Sequence, residues 1–344
     1  MQALTALPLL FIAAFAASDA GAANEAATVL HGAGATFPAL LYKAWVDAYR
    51  SVDPSTTIEY NGVGSGEGVK QFLNDEVDFG ASDAAMTDEQ IATARDGAQL
   101  IPATAGLVAL IYNLPEMRAP LKLSRAGYVG ILSGRIRTWS DPAIRTTNPG
   151  APLPDRQIIL VARQDGSGTT FALTNHLSAI SADWRDRGPG AHTLIAWPDN
   201  AMLVRGNEGV ASRVKMSIGA IGYVEYAYAR RLSLPTASLE NRAGNFVAPS
   251  AEVGEATLVE NLAQIPPNLR LFLPDPEGAD AYPIVTLSWL LLRHRYTDDA
   301  KREALKRFVA WGLDEGQHLG VELGYVPLPA AMSAAAKTSL ANVQ

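Results

Sequence analysis

Cysteine is absent from the 344 residues. That absence removes disulfide bridges, thiolate nucleophiles, thiolate metal sites and lipid attachment at a cysteine, so the fold must be held by its packed core. Histidine is scarce: the five stand at 31, 176, 192, 294 and 318, no two at the spacings from which a zinc site is written. Lysine and arginine nowhere gather into a run and the formal charge is −7, which argues against a nucleic-acid partner. Any anion site must therefore be made of aimed donors rather than of bulk charge. No segment beyond the N-terminal region stays apolar for ~18 residues, so none reads as a membrane span. A phosphate-binding G-x-x-x-x-G-K-S/T loop, a G-x-G-x-x-G fingerprint and a G-x-S-x-G elbow are all missing; Gly80-Ala81-Ser82-Asp83-Ala84 is a near miss, with no histidine placed to activate Ser82.

What is present is an ordinary globular composition, 48% hydrophobic and 18% charged, in a chain long enough for two domains at roughly 100–200 residues each. The apolar run Leu4 to Ala17, ended by Ala20-Gly21-Ala22-Ala23 before Asn24, reads as a cleaved secretory signal covering 1–23, although Met1-Gln2-Ala3 carries no basic residue. Periodicity predicts strands at Thr28–His31, Thr57–Tyr60, Val77–Ala81, Leu107–Tyr112, Ile158–Val161, Ala220–Tyr226 and Ile284–Leu292. Helices are expected after Pro38, around Val69–Leu73, and near Ser124–Leu132, Phe171–Ile180 and Ala300–Trp311. This alternation indicates an α/β chain with mostly parallel sheets. The segments near 141–156 and 235–280 are rich in Pro, Gly and Asn and read as loops.

Three strands run into a turn of small residues that opens a helix. The fullest is Arg163-Gln164-Asp165-Gly166-Ser167-Gly168-Thr169-Thr170, where two glycines keep side chains out of the turn. Ser167, Thr169 and the free N–H groups of the first helical turn are placed as donors to an anion. Arg163 adds a cationic fork that Asp165 can hold in place. An Asx-type turn capping a helix is the plainer reading of this stretch alone. Gly32-Ala33-Gly34-Ala35-Thr36-Phe37-Pro38 and Gly62-Val63-Gly64-Ser65-Gly66-Glu67-Gly68 are the other two turns of the kind, and Asp83 ends a further strand.

These segments, with Gly219-Ala220-Ile221-Gly222-Tyr223-Val224-Glu225-Tyr226, resemble the exported phosphate-binding proteins of Pst-type ABC transporters over nearly the whole mature chain. The resemblance implies a two-domain, hinged periplasmic binding protein fold of type II, each domain a mostly parallel sheet flanked by helices. Crossings between domains are expected near Leu107–Tyr112 and Tyr282–Leu290, making 24–108 with 286–344 the first domain and 109–285 the second. It further implies that Thr36, Phe37 (through its backbone N–H), Ser65 and Asp83 face the anion from the first domain. Arg163, Ser167, Gly168 and Thr169 face it from the second, and Asp165 orients Arg163 without touching the ligand. The expected ligand is inorganic phosphate and the expected partner the membrane permease of an ABC importer, served by a periplasmic monomer with no metal or cofactor. Asp83 fits that role because phosphate still carries an O–H for a carboxylate to accept, whereas sulfate has none to offer. Glu67 departs from the small residue of many relatives and is expected to face water or pair with Lys70. The stretch Trp197–Asn207 is bulkier than the relatives' glycine-rich segment, which bears on the cleft rim and not on the residues facing the anion. The competing classes are an exported phosphatase-like hydrolase using the same cradle, a binder of another tetrahedral oxyanion, and a sugar binder using Tyr223, Tyr226 and Tyr228, for which core packing is the simpler account.

Overall fold

The computed structural model describes residues 27–344, so the signal expected at 1–23 lies outside the described residues. Strands β1 (Thr28–Gly34), β2 (Thr56–Gly62), β3 (Phe79–Ser82) and β4 (Gln99–Tyr112) alternate with α1 (Ala39–Tyr49), α2 (Ser65–Leu73) and α3 (Asp88–Thr93). Then come β5 (Lys122–Leu123), α4 (Arg125–Leu132), α5 (Pro142–Thr147), β6 (Ile159–Arg163), α6 (Gly168–Ile180), β7 (Met202–Val204), α7 (Gly206–Met216), β8 (Ala220–Glu225) and α8 (Tyr226–Leu232). The last part holds β9 (Ser238–Glu240), β10 (Phe246–Val247), α9 (Ala251–Glu260), β11 (Val285–Leu292), α10 (Asp299–Gly312), α11 (Gln317–Leu323) and α12 (Ala330–Ala341).

Eight strands form one sheet in the order β2-β1-β3-β11-β4-β8-β6-β7. Its wings are parallel, as alternating strands and helices require: β1 pairs with β2 and β3, and β6 with β7 and β8. The centre is antiparallel, made by β11 and β4. In one wing Gly34 stands opposite both Gly62 and Ala81, so β1, β2 and β3 end level with one another. In the other, Arg163 stands opposite Val204. The turns leaving those ends converge, which is where open α/β sheets place ligands.

Strand β4 pairs with β11 from Gln99 to Leu107 and with β8 from Val108 to Tyr112. The periodicity reading sees only its second half, because Pro102 argues against a strand. The structure accommodates the proline at a bulge, where Ser288 pairs with Thr104 but Trp289 with Pro102. The supposed loop at 235–280 contains α9, started by the Ser250 cap on the Val253 N–H. Gly254 disguises that helix in the sequence, yet it is there because a side chain at this point would strike Val326. Likewise 141–156 holds α5, capped by Asp141 with Pro142 in its first turn. Trp45, Phe72, Phe79, Trp289 and Phe308 fill the wing of β1, while Trp139, Tyr128, Leu173 and Tyr223 fill that of β6. Each such side chain contributes roughly 1.5–3 kcal/mol when buried.

Candidate functional site

The turn after β1 is shaped by three tyrosines. The Tyr60 hydroxyl donates to the Ala35 carbonyl (2.7 Å), Tyr228 to that of Thr36 (2.6 Å) and Tyr325 to that of Phe37 (2.6 Å). Three successive carbonyls of the turn are thereby satisfied from the interior, and its Ala35 N–H donates to the Ala81 carbonyl (2.9 Å). The Phe37 ring is buried edge-on to Tyr325. After β2, the Val63 and Gly64 N–H groups donate to the Gly34 carbonyl (3.0 and 2.8 Å), locking the two turns together. Gly64 has φ +101° and a Cβ there would lie 2.5 Å from Asp165 Oδ2, so only glycine suits the position.

On the other wing, Arg163 is 2% exposed at the end of β6. Its Nε donates to Asp165 Oδ1 (2.7 Å) and its Nη2 to Asp165 Oδ2, while Nη1 is buried with no hydrogen-bond partner. The Gly206 N–H also reaches Asp165 (3.2 Å). Burial pushes the Asp165 carboxyl up, but Arg163 and this N–H outweigh it and the pKa ends below the usual value. The Arg163 backbone is held by the Tyr223 hydroxyl (3.2 Å) and by the Trp197 indole N–H (3.2 Å). Ser167 caps α6 through the Thr170 N–H (3.0 Å), so the plain capping role and a placed hydroxyl coexist in one residue.

The wings meet at this point. The Gly66 N–H donates to the Gly166 carbonyl (2.8 Å), and the Gly168 N–H to Ser65 Oγ (3.0 Å). Asp83, 1% exposed, accepts from Ser288 Oγ at Oδ1 (2.9 Å) and has no partner at Oδ2. Burial raises its pKa to about 7, against the Ser288 hydrogen bond and the charge of Arg163. Asn207, the second residue of α7, bonds Thr36 and Thr169 together.

Each hydroxyl here already accepts from an N–H group: Thr36 from Asn207, Ser65 from Asp83 (3.2 Å) and Gly168, Ser167 from Thr170, and Thr169 from Asn207. Thr36 and Ser65 each accept two such bonds, so their lone pairs are filled and only their protons are left to offer. The arrangement thus combines a clamped guanidinium with a free N–H, several hydroxyl protons, and one carboxylate oxygen able to accept. It is suited to an oxyanion that carries a proton of its own.

Thr36, Phe37, Ser65, Asp83, Arg163, Asp165, Ser167, Gly168 and Thr169 therefore lie along one seam between the wings. The Gly168 N–H is turned to Ser65, and Glu67 faces outward to Gln71 (3.0 Å) and Lys70 (3.7 Å). Of the tyrosines of β8 and α8, Tyr223 and Tyr228 are buried and Tyr226 half-buried; Tyr223 bonds Thr170 (2.6 Å) and packs on Trp197, so the three form no exposed sugar platform. His176 is a core residue between the Tyr128 hydroxyl (2.8 Å) and the Pro274 carbonyl (2.6 Å); burial takes its pKa to about 4. Among the described residues no group of three His, Cys, Asp or Glu is placed to hold a metal ion. Sequence reasoning missed Asn207, Ser288 and the three carbonyl-holding tyrosines. Asn207 had a signal, since Met202–Val204 followed by Gly206-Asn207 and a helix is a fourth strand–turn–helix unit; the tyrosines, from three distant elements, had none.

A profile of the PBP superfamily domain matches residues 21–315. The phosphate-binding protein PstS of Pasteurella multocida is 40% identical over 306 residues, covering 88% of this chain and 87% of the relative. That of Haemophilus influenzae is 38% identical over 308 residues, covering 88% and 90%. Among solved structures, the phosphate-bound periplasmic protein PfluDING superposes with a TM-score of 0.75 over 90% of this chain and 93% of its own, at 21% identity. A phosphate-binding protein from Stenotrophomonas maltophilia gives 0.71 over 91% and 94%, at 22% identity. Those two likenesses establish the periplasmic binding protein fold, and the sequence matches establish kinship: this chain belongs to the PstS phosphate-binding protein family of the PBP superfamily.

Proposed function

We propose that the chain binds inorganic phosphate in the seam between its wings and delivers it to the membrane permease of an ABC importer. The observation that carries this reading is the pairing, in one buried cluster, of Arg163 Nη1 and Asp83 Oδ2, a donor and an acceptor that no protein group satisfies. A phosphate monoanion or dianion offers both a bare oxygen for the first and an O–H for the second. As a member of a family of binding proteins it is a carrier and not an enzyme, and it works in the periplasm.

In this reading Thr36, Phe37, Ser65 and Asp83 contact phosphate from one wing and Arg163, Ser167, Gly168 and Thr169 from the other, with Asp165 aiming Arg163. The Gly168 N–H then passes from Ser65 to the ligand. Residues 24–108 with 286–344 form one hinged domain and 109–285 the other; the partner change of β4 between Leu107 and Val108 supports these borders. Stripping an anion of water without replacement costs tens of kcal/mol by Born solvation, roughly. Hydrogen bonds to charged groups return about 1.5–3 kcal/mol each, so on the order of ten donors are needed and neither wing supplies them alone. Phosphate therefore favours the closed arrangement, the form a permease can distinguish from the open one.

The test is a competition titration of phosphate against sulfate, followed by the fluorescence of the six tryptophans. Saturable quenching or enhancement by phosphate at concentrations where sulfate is silent is expected. Equal response to both anions would make the chain a general oxyanion binder, and response to neither would overturn the reading.

A further inference from the structure

We infer that Asn207 is a positioning residue that sets the polarity of the two threonine hydroxyls in the site. It is 0% exposed and lies at the first turn of α7. Its backbone N–H and its Nδ2 both donate to Thr36 Oγ1 (3.1 and 2.9 Å), and Nδ2 donates again to Thr169 Oγ1 (3.1 Å). Its Oδ1 accepts the Glu225 N–H (3.0 Å). A backbone N–H can only donate, so this last bond fixes which end of the amide faces the threonines. Both hydroxyls are thereby confined to accepting from Asn207.

The consequence is chemical. A hydroxyl offers one proton and two lone pairs, and the Thr36 oxygen has both lone pairs taken by Asn207. Its proton is left for an acceptor on the ligand side; Thr169, which accepts one bond from Asn207, is biased the same way but keeps one lone pair. Without the side-chain amide, Thr36 keeps only the bond from the backbone N–H and Thr169 keeps none, so each hydroxyl could rotate to present a lone pair to the anion, which repels it. Asn207 therefore makes the threonines donors in advance of binding and needs no contact with the ligand itself. Because Thr36 and Thr169 come from opposite wings, one amide imposes the same polarity on both sides of the seam.

This inference rests on the phosphate reading, and the experiment separates the two. Phosphate affinity is measured by calorimetry for wild type, Asn207→Ala, the double variant Thr36→Val with Thr169→Val, and all three changes together, with thermal melts of each ligand-free protein as the folding check. Asn207→Ala is expected to weaken phosphate binding roughly 10- to 100-fold, the worth of a charged hydrogen bond or its partial loss. In the double-valine background, where no hydroxyl remains to orient, the same change should weaken binding less than about threefold. An equal loss in both backgrounds, or no loss in either, overturns the positioning role while leaving the phosphate reading intact. Wild type that fails to bind phosphate overturns both. Should Asn207→Ala not fold, Asn207→Ser replaces it in the same cycle, its hydroxyl being too short to hold both threonines.

Discussion

Asp165 takes two of the three nitrogens of the Arg163 guanidinium, leaving Nη1 as the one that points to no protein atom. The carboxylate thus acts as a jig: it spends the fork on one side so that a single direction remains for the ligand. This differs from a free arginine, which would lose side-chain freedom only on binding.

Arg163→Lys keeps the charge but has no fork for Asp165 to hold. Phosphate affinity should fall roughly 10- to 150-fold, from the loss of one charge-assisted bond of about 1.5–3 kcal/mol. Equilibrium dialysis checks the loss, with a circular dichroism spectrum like that of wild type; unchanged affinity would remove Arg163 from the site.

Selectivity should reside in Asp83. Above about 7 its carboxylate can only accept, which suits phosphate and repels sulfate; below, the neutral carboxyl can donate to a bare oxygen. The phosphate-to-sulfate affinity ratio should therefore rise with pH through that value, and Asp83→Asn should flatten the profile and admit sulfate. Calorimetric titration of both anions across pH decides; if the ratio in Asp83→Asn matches wild type, Asp83 is not the discriminator.

The same group predicts a stability effect of definite sign. An unfolded aspartate loses its proton near ~3.9, whereas buried Asp83 keeps it to about 7. Between these values the native state binds more protons than the unfolded one, so the ligand-free protein loses stability as pH rises through the window. Asp83→Asn, which has no charge to bury, should melt higher than wild type at pH ~8, by roughly 2–4 °C per kcal/mol relieved, and the gap should close toward pH ~5. Differential scanning calorimetry without phosphate measures it.

Gly168→Ala tests how closely the wings must meet. A Cβ at this position would lie 2.6 Å from both Asp83 Cβ and Ser65 Oγ, which stand on the opposite wing. Relief requires the wings to part, at a cost of about 1–3 kcal/mol to the closed form. Phosphate should bind roughly 5- to 150-fold more weakly, and small-angle scattering should show a smaller phosphate-induced contraction than in wild type. A full contraction would mean the seam yields locally instead.

Glu67→Gln is the control among the charged groups near the turns. Its side chain is paired outward with Gln71 and Lys70, so phosphate affinity should change less than about twofold by fluorescence titration, as is usual for exposed pairs. A tenfold gain would place the carboxylate against the ligand.

The strand–turn–helix units were legible because their signals are local: an apolar run, glycines, and hydroxyl residues at a helix start. Arg163 and Asp165 could be paired on sequence spacing alone for the same reason. What stayed hidden is non-local. Tyr60, Tyr228 and Tyr325 stand far apart in the sequence, and only the tertiary fold brings their hydroxyls to three successive carbonyls. Ser288 belongs to a buried strand whose every residue looks like packing. Asn207 lay in a segment whose bulk directed attention to the rim, although its amide is entirely interior. Pro102 and Gly254 broke the periodicity of elements that tertiary contacts sustain.

The change of partner within β4 also governs how the protein can be dissected. The residues that pair with β8, Val108–Tyr112, are continuous with those that pair with β11. A chain cut at that point parts β11 from both its neighbours, since β3 and Gln99–Leu107 stay in the first piece while β11 goes with the second and is left uncovered along both edges. An exposed apolar strand edge is a template for pairing with other chains. Either half expressed alone should therefore aggregate, and biosensor fusions or circular permutants have to open the chain at a surface loop, never at the crossing.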